Sequence, residues 1–267
     1  STQGYSSAAS DVYKRQIYVI LGLMVIRTIY QYATVEGALL ALVLTIPGVL
    51  IAITFHEFAH AFAADKLGDD TPRREGRLSL NPFDHLDPIG SLLLLVAGFG
   101  WGKPVHVNPR NYSRKISMEK GEAIVSFAGP LMNFLLAIIF TIITCITLKT
   151  TNSSIVFIGN QMGLIVTNQT IKIVLQILIS IITINLGLGL FNLIPLPPLD
   201  GSKIIMPFLP LKAKQFFINN EQIFYIIFVV IWITGLAGVI ISPILDVVGT
   251  GILKLGLSAF GLPIINY

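Results

Sequence analysis

Two histidines and a glutamate form a compact group in the first half of the chain. His56, Glu57 and His60 lie in the segment ITFHEFAHAFAADKLG, whose pattern predicts a helix. Residues four positions apart lie on one helix face, about 6 Å apart along the axis, so both imidazoles can bind one metal ion. Glu57 is adjacent to the first imidazole and can act as a general base toward a water molecule at that metal. This spacing is the HExxH pattern of zinc peptidases and predicts metal-assisted hydrolysis.

The blander interpretation of this group is a polar helix end at the membrane interface, with both histidines hydrogen-bonded. Ionisable residues at membrane depth are costly, however, and are functional candidates by default. The position of Glu57 between two histidines is specific, and the polar helix end does not explain it. The sequence therefore favours the metal site.

A catalytic zinc site usually has three protein ligands, so a third ligand must come from elsewhere in the chain. Asp200 is the favoured candidate, because it follows a proline-rich segment in FNLIPLPPLDG. Three prolines within four positions cannot continue a helix, and they force an extended segment that ends at this carboxylate. The alternative is a loop in which Asp200 caps a helix. The other two histidines, His85 and His106, lie in loops, and we interpret both mainly as loop residues rather than ligands.

The composition indicates that membrane-spanning helices position these residues. Only 12% of the 267 residues are charged and 54% are hydrophobic, whereas ordinary soluble domains contain roughly a quarter charged residues. This composition excludes disordered, collagen-like and coiled-coil chains, and it disfavours a soluble enzyme. The single cysteine, Cys145, excludes an intrachain disulfide.

Long uncharged runs predict the spanning helices, because about 20 apolar residues cross a bilayer. Four runs are long enough, and they cover residues 37–55, 123–148, 173–199 and 222–245. Weaker or shorter runs cover residues 17–33, 88–102 and 255–267. We expect an all-α polytopic membrane protein with about five or six transmembrane helices and a re-entrant or β-hairpin element associated with the membrane. Residues 88–102 are predicted to be re-entrant.

The positions of basic residues predict the orientation of the chain. Lysine and arginine are concentrated in loops 65–121 and 200–221, whereas loop 149–172 contains only Lys149 and Lys172. Basic loops face the cytoplasm in most membrane proteins, so the first two loops are predicted to be cytoplasmic. The HExxH helix and the proline-rich segment then end on the same side of the membrane, where one site can form.

The motifs, in this order, resemble the site-2 protease family of intramembrane zinc metalloproteases, peptidase family M50. The resemblance is to its compact subgroup, which lacks PDZ and CBS domains, and it covers most of residues 45–210. The stretches that carry it are HEFAHAFAADKLGDDTPRREGRLSLNPFDHLDPIGS, FGWGKPVHVNP, AGPLMNFLLA and FNLIPLPPLDGSK. One departure is His106, where related sequences usually have proline; this residue is expected to cap a loop or, less favoured, to act as a regulatory ligand.

The resemblance implies a role for each matching residue. It implies one catalytic zinc ion bound by His56, His60 and Asp200, with Glu57 and Asn192 as the catalytic residues. Asn192 would steady the substrate carbonyl or the oxyanion. Gly129 and Asn133 match a Gly-x-x-x-Asn pattern of the family, and an equally weighted alternative is a helix-packing site. The resemblance also suggests a membrane-associated β element at residues 76–82, where the sequence alternates like a strand, and we hypothesise that this element presents the substrate.

These observations predict a zinc-dependent endopeptidase that hydrolyses peptide bonds in or near transmembrane segments. We expect residues 1–16 to be a non-native or disordered stretch and residues 17–267 to form a single integral-membrane domain, with a catalytic core at about 37–210. The expected location is a prokaryotic plasma membrane, with the active site open to the cytoplasm. The expected partners are a transmembrane protein or peptide substrate and the lipid bilayer, not nucleic acid. The alternative is a membrane transporter or a non-catalytic metal-binding scaffold.

Overall fold

The computed structural model describes residues 32–88, 90–91, 102–158 and 161–266, together with positions 22, 26, 28 and 30. Residues 1–16 and most of the predicted re-entrant run lie outside these described residues, as does much of the run 17–33. The chain divides into two compact units. One comprises Ser1–Val43 and Leu86–Lys103, and the other comprises Leu44–His85 and Pro104–Tyr267. All of the predicted site residues belong to the second unit, and the single domain over 17–267 stays a prediction.

Helices make up most of the described chain. The helices whose bounds lie within the described residues are α1 (Ala38–Leu67), α2 (Thr71–Arg74), α3 (Pro82–His85), α4 (Met118–Thr150), α5 (Gln169–Asn192), α6 (Asp200–Ile205), α7 (Leu211–Asn219), α8 (Glu221–Ile233) and α9 (Leu236–Ala259). Short 3-10 helices cover Pro109–Asn111 and Met206–Phe208. The strands are β1 (Ser154–Ile158), β2 (Gln161–Ile165) and β3 (Ile265–Asn266).

Four of these helices, α1, α4, α5 and α9, are long and apolar enough to cross a membrane. They contain 24 to 33 residues each, and about 20 are needed to span the hydrocarbon core. The predicted all-α polytopic fold is therefore confirmed, and the protein is an integral membrane protein. Three of the four correspond to the predicted runs 37–55, 123–148 and 173–199.

The fourth predicted span, residues 222–245, is wrong as a single helix. The chain forms α8 over its first part and begins α9 at Leu236, because Gly235 has a φ of 74°. A left-handed backbone conformation cannot continue an α-helix, and glycine adopts it without steric cost. At 1.5 Å per residue the 13-residue α8 is about 20 Å long, shorter than the ~30 Å hydrocarbon core. The spanning helix is instead α9, which extends into the predicted run 255–267.

The β structure lies in a different loop from the one predicted. Strands β1 and β2 form an antiparallel hairpin between α4 and α5, and β3 pairs in parallel with the other edge of β1. The predicted strand at 76–82 is wrong, because Gly76 has a φ of 71° and Pro82 begins α3. The buried Arg77 side chain donates to the carbonyl oxygens of Asp84 and Pro104, so a side chain rather than a neighbouring strand satisfies these acceptors.

The residue at the end of the predicted re-entrant run 88–102 lies beside a residue that shortly precedes the run. Leu86 and Gly102 pair in an isolated antiparallel bridge. The interior of the element lies outside the described residues, so its depth in the membrane stays a prediction.

Helix α1 approaches α5 closely at Gly48, which has no side chain to hold the two backbones apart. A Cβ atom at Gly48 would lie 3.2 Å from the Cα of Ile181, a distance that the backbone of α5 could not easily increase. Small residues at helix interfaces allow such approach in membranes, where dispersion contacts rather than the hydrophobic effect hold helices together. The buried residues of α1 are Gly48, Ala52, Thr54, His56, Ala59, His60, Ala61 and Ala64.

Local sequence determines both ends of α5. The Asn168 side chain accepts hydrogen bonds from the backbone N–H groups of Thr170 and Ile171, which satisfies donors that every helix N-terminus leaves free. At the other end Pro195 follows soon after Asn192, so the helix cannot continue. The predicted extended segment is wrong in its conformation, because residues 193–199 form turns closed by local backbone hydrogen bonds before Asp200 begins α6.

Candidate metal centre

The three predicted metal ligands meet at one point in the structure. The Nε2 atoms of His56 and His60 are 3.0 Å apart, and each is 3.2 Å from the Oδ2 atom of Asp200. Both histidines are buried, with exposed fractions of 5% and 9%, and Asp200 is half-buried. Two imidazole nitrogens and one carboxylate oxygen are a donor set that zinc prefers, and three protein ligands leave a fourth position open. The residues therefore fit a single catalytic zinc ion.

The outer nitrogen of each imidazole has a hydrogen-bond acceptor. The Nδ1 atom of His56 lies 2.7 Å from Oδ1 of Asn133, and the Nδ1 atom of His60 lies 2.7 Å from the carbonyl oxygen of Val125. Each ring donates its Nδ1–H to an oxygen, so the lone pair of each Nε2 atom faces the centre. Metal-binding histidines typically have such partners, which fix the tautomer and orientation of the ring.

Helix α4 provides both of these acceptors and also the space for the rings. A Cβ atom at Gly129 would lie 2.5 Å from Nε2 of His60 and 2.7 Å from Cε1 of His56. Only glycine leaves room for both imidazoles at this position. The Gly-x-x-x-Asn pattern thus combines close approach at Gly129 with a hydrogen bond from His56 to Asn133, as the helix-packing interpretation expects, and the role implied by the family resemblance stays a prediction.

Asp200 is positioned by the backbone of the proline-rich segment. The hydroxyl of Ser202 donates to the carbonyl oxygen of Leu199 at 2.7 Å, and the N–H of Leu199 donates to Leu196. A Cβ atom at Gly201 would collide with the Leu193 and Ile194 carbonyls, so the chain folds back tightly on itself directly after the carboxylate. The segment therefore holds Asp200 at the first position of α6 by local contacts.

Glu57, the predicted general base, contacts a different part of the chain. Its Oε2 atom accepts a hydrogen bond of 3.1 Å from the backbone N–H of Val105. Val105 lies in the segment 104–108, which is part of the family-like GKPVHVNP sequence at residues 102–109. Three residues further on, the backbone N–H of Asn108 donates to Oδ2 of Asp69 at 2.6 Å, just beyond the end of α1, and this contact anchors the segment. Segment 104–108 is therefore attached to the catalytic helix and to the residues that follow it.

Asp69 is a buried carboxylate with several hydrogen-bond donors. Thr71 donates its backbone N–H and its hydroxyl to Oδ1, and the Asn111 amide donates to the same atom. Burial alone would raise the pKa of Asp69, but hydrogen bonds from Thr71, Asn108 and Asn111 outweigh it and hold the pKa below its ordinary value. The ionised carboxylate thereby fixes the loop that contacts Glu57.

The remaining predicted residues do not contact the three ligands. The Asn192 amide donates to the Leu188 carbonyl within α5 at 3.1 Å. The buried His85 ring donates from Nε2 to the carbonyl of Ser79 at 2.7 Å. His106 is exposed and pairs with Glu75, with 3.1 Å between Nδ1 and Oε2. The last two arrangements agree with loop roles for both histidines.

Comparison with known proteins identifies the class to which this arrangement belongs. The model of the family described as Peptidase family M50 matches residues 93–235. A protein of Bacillus subtilis named "Putative zinc metalloprotease YwhC" is 38% identical over 206 residues, which are 77% of this chain and 87% of that protein. A Mycolicibacterium smegmatis protein named "Putative zinc metalloprotease Rip2" is 29% identical over 199 residues, 72% of this chain and 67% of its own length. No solved structure matches the chain.

The fold and the donor set together define a membrane-embedded, zinc-dependent metalloendopeptidase. Within that class, the chain belongs to peptidase family M50, the site-2 protease family. The resemblance predicted from the motifs is thereby confirmed, as is zinc as the cofactor.

Proposed function

We propose that this protein hydrolyses peptide bonds in or near the transmembrane segments of membrane-protein substrates. The observation that carries the proposal is the position of the metal centre on a spanning helix. His60 precedes the end of α1 by seven residues, about 10 Å along the axis, and the uncharged run of α1 continues up to Phe55. A peptide bond that reaches this centre must therefore lie near or below the membrane surface.

The proposed roles of the side chains follow from their positions. His56, His60 and Asp200 bind the zinc ion, which when bound supplies Lewis-acid chemistry that activates water and polarises the scissile carbonyl. Glu57 takes the proton of the attacking water and passes it to the leaving amine. Asn192 donates to the developing oxyanion from the amide hydrogen that the Leu188 carbonyl does not take.

We also propose that the site opens to the cytoplasm of a prokaryotic cell. The basic loops that precede α4 and follow α5 support this orientation, because lysine and arginine near spanning helices favour the cytoplasmic side. An opening to water on that side would provide the second reactant of hydrolysis. Lys203 near the end of α6 and Arg73 and Arg74 in α2 belong to these loops.

The test compares wild type with Glu57→Gln in detergent micelles or liposomes that contain a model transmembrane substrate. We expect both proteins to bind about one zinc ion each, because glutamine leaves the three ligands in place. Hydrolysis by the variant should fall by about a hundredfold to ten-thousandfold, the usual contribution of a general base. Equal cleavage by the two proteins would contradict the mechanism, and zinc binding by wild type without any cleavage would contradict the proposed function.

A further inference from the structure

A second asparagine, Asn185, lies fully buried in the middle of α5 and has no part in the proposed hydrolysis. An amide inside a spanning helix is costly unless each of its polar atoms has a partner. Its Nδ2 atom donates to the Ile181 carbonyl at 2.9 Å, and its Oδ1 atom accepts from the Nδ2 atom of Asn133 at 2.9 Å. Asn185 therefore connects a backbone carbonyl of α5 to the residue that contacts His56.

These contacts fix which way the Asn133 amide points. Its Nδ2 atom donates twice, to the carbonyl of Ala52 at 3.1 Å and to Oδ1 of Asn185 at 2.9 Å. If the amide were rotated by 180°, its oxygen would face both of these acceptors. The observed orientation turns Oδ1 of Asn133 toward Nδ1 of His56, at 2.7 Å. The direction of the amide thus follows from the hydrogen-bonding rules of its neighbours.

The same reasoning determines the direction of the Asn185 amide. The Ile181 carbonyl is part of the helix backbone and can only accept, so Asn185 must present its NH2 group there and its oxygen to Asn133. The series of hydrogen bonds has a single polarity, from two backbone carbonyls through two amides to the imidazole. At the end of this series Oδ1 of Asn133 faces Nδ1 of His56. Because this oxygen is an acceptor, it selects the His56 tautomer with hydrogen on Nδ1 and the lone pair on Nε2.

We propose that Asn185 is a positioning residue that acts through Asn133 to hold His56 in the zinc-binding tautomer. This inference rests on the proposed role of His56 as a zinc ligand. Without the Asn185 oxygen, one N–H of Asn133 loses its acceptor in a buried site, and the Ala52 carbonyl alone remains to orient the amide. The Asn133 amide is then free to turn and present its NH2 group to His56. Changes to such outer partners reduce metal affinity by about tenfold to a hundredfold.

The experiment measures zinc affinity by competition with a chelator and, in the zinc-free protein, the His56 tautomer by nitrogen-15 NMR. Asn185→Leu removes the oxygen at similar volume, and we expect zinc affinity to fall by about tenfold to a hundredfold with a growing population of the Nε2–H tautomer of His56. Asn185→Asp is the rescue variant. The Ile181 carbonyl can only accept, and burial disfavours a charged carboxylate beside it, so the neutral carboxyl group can donate its O–H to Ile181 while its other oxygen accepts from Asn133, and zinc affinity should stay near wild type.

Thr144→Val is the matched control for the loss of a buried polar group. Thr144 is fully buried in α4 and donates only within its own helix, to the carbonyl of Phe140 at 2.7 Å. This variant should bind zinc like wild type. Should Asn185→Leu fail to fold, Asn185→Ala removes the same oxygen with a smaller side chain, and the Asp variant provides an independent measurement.

Unchanged zinc affinity and an unchanged His56 tautomer in folded Asn185→Leu or Asn185→Ala would overturn the inference. Loss of zinc binding in folded Asn185→Asp would overturn it as well. Failure of the zinc site itself is distinguishable, because wild type would then bind no zinc. Wild type that binds zinc but does not cleave the substrate would count against the proposed function alone, whereas loss of proteolysis in the Asn185 variants with zinc affinity intact would count only against a positioning role for Asn185.

Discussion

The carboxylate of Glu57 accepts a hydrogen bond from the backbone N–H of Val105, with 3.1 Å between the two heavy atoms. One carboxylate oxygen is thereby held by the segment 104–108, and the other is left to interact with water. The segment is itself fixed where the N–H of Asn108 donates to the buried Asp69. The orientation of the proposed general base therefore depends on a loop far from it in the sequence.

Val105→Pro tests this contact, because proline has no backbone N–H. Hydrogen bonds to charged groups contribute about 1.5–3 kcal/mol, so we expect kcat to fall roughly tenfold to a hundredfold. Zinc content should stay unchanged, since no ligand is touched. The control is Val105→Ala, which shortens the side chain and keeps the N–H. The measurement is cleavage of a transmembrane substrate, and equal kcat values for the Pro and Ala variants would rule out the contact as a positioning element.

Gly129→Ala should prevent zinc binding without unfolding α4. The added Cβ would lie 2.5 Å from Nε2 of His60 and displace both imidazoles, whereas alanine favours helix over glycine by up to about 1 kcal/mol. We expect zinc affinity to fall by roughly a hundredfold or more, beyond the usual effect of an outer partner, while the helical circular dichroism is retained.

Gly187→Ala is the matched control for that substitution. Its Cβ would lie 3.9 Å from the nearest atom, in Leu245, which is an ordinary contact. This variant should bind zinc normally. Wild-type zinc affinity in Gly129→Ala would show that the helices can separate to accept the methyl group.

Asp69→Asn should destabilise the protein in a pH-dependent way. The pKa of Asp69 is lowered in the folded state, so its contribution to stability is fully present above the unfolded-state value of about 3.9 and is lost as the pH falls through the lower folded-state value. At pH 7 an amide nitrogen in place of an oxygen would face buried donors, at a cost of about 1–3 kcal/mol. Thermal unfolding should show a constant difference in Tm between the variant and wild type from pH 7 to about 5, and a smaller difference below about pH 4. A difference in Tm that does not change with pH would contradict a lowered pKa of Asp69 in the folded state.

His106→Ala should leave both zinc affinity and proteolysis nearly unchanged. The ring of His106 is 71% exposed and pairs with a partly exposed Glu75, and such pairs contribute less than about 1 kcal/mol. Chelator competition with purified protein measures the effect, and His56→Ala serves as the positive control for ligand loss. A severalfold change in the zinc affinity of His106→Ala would instead support a regulatory ligand at this position.

The sequence indicates well the three side chains that form the candidate metal centre, because each leaves a chemical signature in apolar surroundings. His56 and His60 have helical spacing, and Asp200 follows prolines that end a helix, so their convergence is expected from topology alone. Val125 leaves no such signature, since it acts through a backbone carbonyl that any residue could supply. Asn185 leaves a weak one, an amide inside an apolar run, but its partner depends on how α5 packs against α4.

The errors in the predicted fold also have physical causes. Hydropathy along the run 222–245 does not indicate that Gly235 has a positive φ, and this residue divides the apolar run into two helices. Alternation at residues 76–82 resembles a strand, yet Gly76 has a φ of 71° and Pro82 already begins α3. In both places one glycine changes the direction of the backbone, and average composition over a run does not reveal it.

The centre joins α1 to the start of α6, two segments that are far apart in the sequence, through the side chains of His56, His60 and Asp200. A zinc ion that binds the folded protein but not the unfolded chain adds RT ln(1 + [Zn]/Kd) to the free energy of unfolding, about 2.7 kcal/mol at a hundredfold excess over Kd. The ion therefore acts as a reversible cross-link as well as a cofactor. Zinc supply in the cell would then set the lifetime of the folded protease together with its activity.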